Sequence, residues 1–104
     1  MPEAPKPPAA VTNEPFRNWI RSQPCFICTH VGIKQATHTE CAHVRTRRNN
    51  GDFANLLPFC TTHHQRQHRM GIVGFSRMYE VDMTQAGIDY QQKYIQLTEP
   101  FGGF

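Results

Sequence analysis

No stretch of this sequence is apolar for long enough to cross a membrane, and its opening residues lack the apolar run of a secretory leader. Apolar material is scarce throughout: 38% of 104 residues are hydrophobic and the mean hydropathy is −0.57. A chain this short with so little to bury forms a marginal core, and a covalent or metal staple is expected. Acidic residues are also missing where they would be needed for balance. From Arg17 to Arg77 there are nine Lys and Arg residues against only Glu40 and Asp52, whereas the residues from Met78 onward are net acidic. A basic central segment with an acidic tail is the charge distribution of a polyanion binder.

The four cysteines are the candidate staple. Two disulfides would satisfy the count. Paired cysteines with a nearby histidine, in a chain read as cytosolic, fit a metal better. Cys25-x-x-Cys28 and Cys60-x-x-His63 form two such pairs, separated by thirty-one residues. Two-residue spacers let both members of a pair point at one ion, and thiolate with imidazole in a tetrahedron suits structural Zn²⁺. The long separation leaves room for a complete hairpin between the halves of the site. Cys41 reads as a small buried residue rather than a ligand, and His30 and His38 as solvated.

The organisation follows from local signals. Residues 1–12, with four prolines, are expected to be a disordered or extended leader. Asn13 can cap a short helix running to about Ser22, with Pro15 in its first turn. Phe16, Trp19 and Ile20 then share one face, as core rather than as a base-stacking platform. Cys25–Cys28 should be a tight knuckle and Thr29–Thr39 an exposed loop. Cys41–Arg45 alternates as a short strand, residues 46–52 form a polar turn, and Leu56–Phe59 with Pro58 suits an edge strand. Thr61 or Thr62 can cap a helix from about His63 to Met70, closed by Gly71. Residues 73–97 read as one or two helices, broken near Asp82–Thr84, whose Phe75, Met78, Tyr79, Ile88, Tyr90, Tyr94, Ile95 and Leu97 should cover the core. A single domain is thus expected over 13–98, its centre at about 25–71, with 99–104 frayed.

A second set of residues is interleaved with the first: His43, then Asn55-x8-His64-x3-His68. If the two strands pair antiparallel and the helix packs across them, His64 and His68 lie on one helical face and can share an ion. His63, turned by about 100°, is free to face the knuckle. His43 on the first strand would face the same cleft. Phosphodiester hydrolysis needs an activated water, a means to offset phosphate charge and a stabilised leaving oxygen. A neutral histidine can take a proton from water near pH 7. A divalent ion on His64 and His68 can serve the phosphate and the leaving oxygen, and Asn55 can fix the hairpin and the base.

These residues, and the text PCFIC … CAHVR … LPFCTTHHQRQHRMG around them, resemble the HNH endonuclease family. They are most similar to small phage- and prophage-encoded members that carry a treble-clef-like zinc knuckle. The resemblance covers about residues 16–80. It implies a small α+β fold, a zinc-stapled ββα-metal finger with flanking helices, in a protein acting in the bacterial cytoplasm. It further implies His43 as general base, Asn55 as the hairpin-fixing residue, and His64 and His68 as ligands of a catalytic Mg²⁺, Mn²⁺, Ni²⁺ or Zn²⁺. The chain departs from the family at Ala42, where Asp or His usually supplies a further ligand. Asp52 could fill in if the turn folds back, or solvent could, as around a weakly dehydrated ion.

Arg45, Arg47 and Arg48 beside the turn, with Arg66, Gln67 and Arg69 on the helix, are the candidate DNA-backbone contacts. No membrane partner is expected. Two other readings stay open: a non-catalytic zinc-stabilised nucleic-acid-binding module, and an adaptor that binds a protein through the acidic C-terminal tail.

Overall fold

The computed structural model describes residues 12–46 and 50–98. Within them the chain is a small α+β unit built on one two-stranded antiparallel sheet. Helix α1 spans Glu14–Arg21 and α2 spans Phe26–Val31; strand β1 is Thr39–His43 and β2 is Leu56–Cys60; α3 runs Thr61–Tyr79 and α4 Met83–Thr98. Arg47, Arg48, most of the leader and the tail beyond Thr98 lie outside the described residues. No helix among the described residues is long and apolar enough to cross a membrane.

Helix α1 begins as its sequence dictates. The Asn13 side chain accepts from the Phe16 backbone N–H at 3.0 Å, Pro15 sits in the first turn, and Phe16 and Ile20 are fully buried. Trp19 packs with Tyr90 and Tyr94, its ring centroid 5.5 Å from that of Tyr94, so the aromatic stripe is core. The knuckle is more regular than expected. Cys25 is itself the N-cap of α2, accepting from the Cys28 N–H, and left-handed Gly32 closes the helix. The loop after it is tied down: Gln35 accepts from the Cys25 N–H at 2.7 Å and donates to Thr37 and Thr39.

β1 and β2 pair with Thr39 opposite Cys60 and His43 opposite Leu56. β1 thus starts and stops two residues before the stretch expected. Pro58 is tolerated because β2 has only one strand neighbour, yet all of β2 is buried beneath α1, α2 and α4. The cap of α3 differs from expectation. Cys60 occupies the N-cap without a side-chain cap bond, because its sulfur faces the knuckle, and the Thr37 hydroxyl accepts from the Thr61 N–H at 3.0 Å. Gly71 (φ 79°, ψ 162°) interrupts the helix without ending it, and helical geometry resumes through Tyr79. His63, Gln67 and Phe75 form the buried stripe of α3, and the Phe75 and Phe59 rings lie 5.4 Å apart.

Most of the net-acidic stretch forms a helix packed against β2. Helix α4 buries Met83, Ala86, Gly87 and Gln91, with Asp82 and Asp89 facing solvent. Met78 and Leu97, expected to cover the core, are exposed. A close approach joins α4 to the β1–β2 loop. Gln91 accepts from the Ala54 N–H at 3.0 Å, and a Cβ at Gly87 would lie 2.7 Å from the Ala54 carbonyl oxygen. Glycine-to-alanine changes usually stabilise a helix interior by up to ~1 kcal/mol. Here the opposite sign is expected: Gly87→Ala should cost about 1–3 kcal/mol through overpacking, read as a lower midpoint in urea.

Candidate metal centre and adjoining cleft

Two short segments bring Cys25, Cys28, Cys60 and His63 together, all buried, with their ligand atoms within 4.8 Å of one another. Cys28 Sγ is 3.8 Å from Cys60 Sγ, and His63 Nδ1 is 3.6, 3.5 and 3.1 Å from the sulfurs of Cys25, Cys28 and Cys60. Thiolates about 2.3 Å from a tetrahedral Zn²⁺ lie about 3.8 Å apart, so the donor set fits such an ion. The protonation chemistry fits as well. Burial and its cysteine neighbours push Cys28 up to about 12. Burial also opposes ionisation of Cys60, but the His63 N–H and the neighbouring thiols outweigh it and lower its pKa. Burial, reinforced by Arg66, lowers that of His63 and keeps its imidazole neutral. The cluster could therefore hold a metal such as zinc, displacing protons as it binds.

Arg66 borders this cluster. Its Nη1 donates to the Tyr79 hydroxyl at 2.6 Å, and it lines a cavity of about 250 Å³ with Cys28, Cys60 and His63. The kink at Gly71 turns the second half of α3 back within its reach.

On the adjoining side, His43 ends β1. Its Nε2 lies 3.1 Å from Asp52 Oδ1. Asp52 is fully buried, and its oxygens also accept from Arg17 Nε at 2.7 Å, Arg17 Nη2 at 3.0 Å and the Asn13 N–H at 2.7 Å. Burial would raise the pKa of this carboxyl, but Arg17, Asn13 and His43 together bring it down to about 2. Asp52 is thus the partner of His43. The expectation that it joins His64 and His68 as a ligand is corrected, because both oxygens are already committed.

Asn55 is fully buried and closes the loop between the strands. Its Oδ1 accepts from the Arg45 N–H at 2.6 Å, and Nδ2 donates to the carbonyls of Arg45 at 3.1 Å and Gly51 at 2.7 Å. It clasps both backbone groups of Arg45 and so sets where the chain leaves β1.

His64 and His68 turn away from the cysteine cluster, as the 3.6-residue helical period dictates. Their Nε2 atoms are 3.1 Å apart, which suits two imidazoles converging on one ion. His64 Nδ1 meets Glu40 Oε1 at 2.8 Å, and the other Glu40 oxygen accepts from the Thr61 hydroxyl. The contact with His64, aided by Thr61, lowers the Glu40 pKa against a burial effect of opposite sign. Glu40 was not singled out from sequence. Strand alternation places it on the same face of β1 as Ala42, a signal that could have found it.

A cleft of about 340 Å³ joins these parts, lined by His43, Arg45, Thr46, Gln67, His68, Gly71 and Ile72. Gln67, expected to meet a base edge or sugar, is instead buried: it donates to the His43 carbonyl at 2.9 Å and ties α3 to the end of β1. Arg45 and Arg69 are exposed, Arg45 on the cleft wall. Comparisons with protein-family models, with curated proteins and with solved structures gave no match.

Proposed function

We propose that this chain is a metal-dependent DNA endonuclease of the HNH type, its β1–β2–α3 segment acting as the ββα-metal finger and its cysteine cluster as a treble-clef-like zinc knuckle. One observation carries the reading: His43, held by a buried carboxylate, borders the same cleft as His68, which converges on His64. With Asp52 accepting from Nε2–H, the imidazole lone pair is on Nδ1, the tautomer of a general base. His43 then takes the proton of the attacking water, and the Asp52 carboxylate stabilises the imidazolium that forms. A divalent ion held by His64 and His68 would, when bound, offset charge on the scissile phosphate and on the leaving oxygen. Arg45 on the cleft wall, joined by Arg69, Arg47 and Arg48, would follow the phosphate backbone, with salt-sensitive and largely sequence-independent contacts. The resemblance also suggests a phage or prophage product working in the bacterial cytoplasm.

Glu40 answers in part for Ala42. A carboxylate on the second nitrogen of a metal-binding histidine fixes its tautomer and raises its basicity. Glu40→Gln is therefore expected to weaken binding of a second divalent ion by roughly 10–100-fold, measured by Ni²⁺ or Mn²⁺ titration calorimetry of zinc-loaded protein. An unchanged affinity would remove Glu40 from the site.

Ala42 itself favours a second reading, a nucleic-acid-binding module without chemistry, since it offers no donor where the family has one. Supercoiled plasmid at low salt, incubated with Mg²⁺, Mn²⁺ or Ni²⁺, separates the two. Ion-dependent nicking supports the nuclease. Retardation on a gel with no nicking under any of the three ions supports the module.

A further inference from the structure

Arg45 and Arg69 have a place in the proposed substrate contacts. Arg17 does not, and nothing in its sequence surroundings marks it out. It lies on α1, a helix whose apolar face merely packs on the sheet, yet its guanidinium is turned inward with a side-chain exposure of 15%. Both of its contacts to Asp52 run in fork geometry, Nε to Oδ2 at 2.7 Å and Nη2 to Oδ1 at 3.0 Å. The first backbone N–H of the cap, on Asn13, reaches the same carboxylate at 2.7 Å.

We propose that α1 is a working part of the catalytic centre and that Arg17 is the positioning residue of the His43 base. This rests on the nuclease reading above. A carboxylate gripped by a planar fork has its plane and both oxygens fixed. With Oδ2 occupied by Arg17 and Asn13, the lone pair of Oδ1 that remains in play is aimed at His43 Nε2. The fork does a second thing. A buried Asp52 alone would favour a permanently protonated His43, which cannot act as a base. Arg17 pairs with that negative charge. Among the described residues, the charged and titratable groups around His43 include Asp52 and Arg17 on the side of α1 and the turn, and Arg45 and His68 on the side of the cleft.

The plain alternative is that Arg17 and Asp52 only staple α1 to the loop. Arg17→Lys keeps the charge and loses the fork, Arg17→Met loses both, and Ile20→Val loosens the packing of α1 without touching Asp52. Each is made in the full, zinc-loaded chain. Two readouts are used: the turnover number and KM on supercoiled plasmid, and the tautomer of His43 from long-range ¹⁵N–¹H correlation spectra, which needs no activity. The expected result for both Arg17 variants is a turnover number lowered on the order of tenfold to a hundredfold with KM unchanged, and a His43 ring no longer held as the Nε2–H form. Ile20→Val should lower the melting temperature and leave both readouts alone. A His43 tautomer and turnover number unaltered in Arg17→Lys and Arg17→Met would overturn the proposal while leaving the nuclease reading standing. A tautomer that responds to Arg17 in a wild-type protein that cuts nothing would uphold the hold on His43 and sink the nuclease reading instead.

Discussion

Stripping the metal from the Cys25/Cys28/Cys60/His63 cluster, or replacing Cys60 by Ser, is expected to unfold the described core and not simply to silence a site. The cluster lies inside the main hydrophobic core, where the start of α2, the end of β2 and the first turn of α3 meet. Without an ion, four buried ligands must be satisfied largely by one another. Structural zinc contributes roughly 10–16 kcal/mol of apparent binding energy in small finger peptides. A small domain has only about 5–15 kcal/mol of net stability to lose. An ion bound at this cluster would therefore decide whether the chain folds. Circular dichroism during chelation, with metal counted per chain, checks this. A Cys60→Ser protein that binds no metal and still melts cooperatively would contradict it.

The second large effect is on chemistry. His43→Ala should lower the rate of DNA cleavage by about 10²–10⁴, the usual contribution of a positioned general base, while zinc content, melting temperature and DNA retardation hardly move. The structure explains why this substitution should be clean. Asp52 would lose one of four hydrogen bonds but keep both contacts to Arg17 and that to the Asn13 N–H. Gln67 would keep its acceptor, because it bonds the backbone carbonyl of residue 43 and not the ring. No buried charge is orphaned, so lost activity would report on the base itself and not on the fold.

Much of this arrangement was legible in the residue order, because it rests on short-range rules. The Asn13 cap, the Phe16/Trp19/Ile20 stripe, the pairing of the two strands and the opposite facing of His63 and His64 follow from turn chemistry and from periods of 2 and 3.6. The paired spacing of the cysteine cluster was equally local. What escaped depends on contacts across the chain. Asp52 reads as a turn residue until Arg17, 35 positions away, is seen to grip it. Glu40 reads as one of two stray acids until His64, 24 positions on, is found against it. Arg66 and Gln67 were assigned to nucleic-acid contacts because helical periodicity alone does not say which face of α3 meets the sheet. The kink at Gly71 also changes what lies within reach. Met78 and Leu97 were assigned to the core on hydrophobicity alone, and both are exposed.

The most direct test of the account is a supercoiled-plasmid assay of the wild type and His43→Ala side by side, at matched zinc occupancy and low salt, across Mg²⁺, Mn²⁺ and Ni²⁺. Ion-dependent conversion to nicked or linear DNA by the wild type, with His43→Ala binding the plasmid but failing to cut it, is the expected result. Equal behaviour of the two proteins, whether both cut or neither does, would contradict the assignment of His43 as the base of a nuclease.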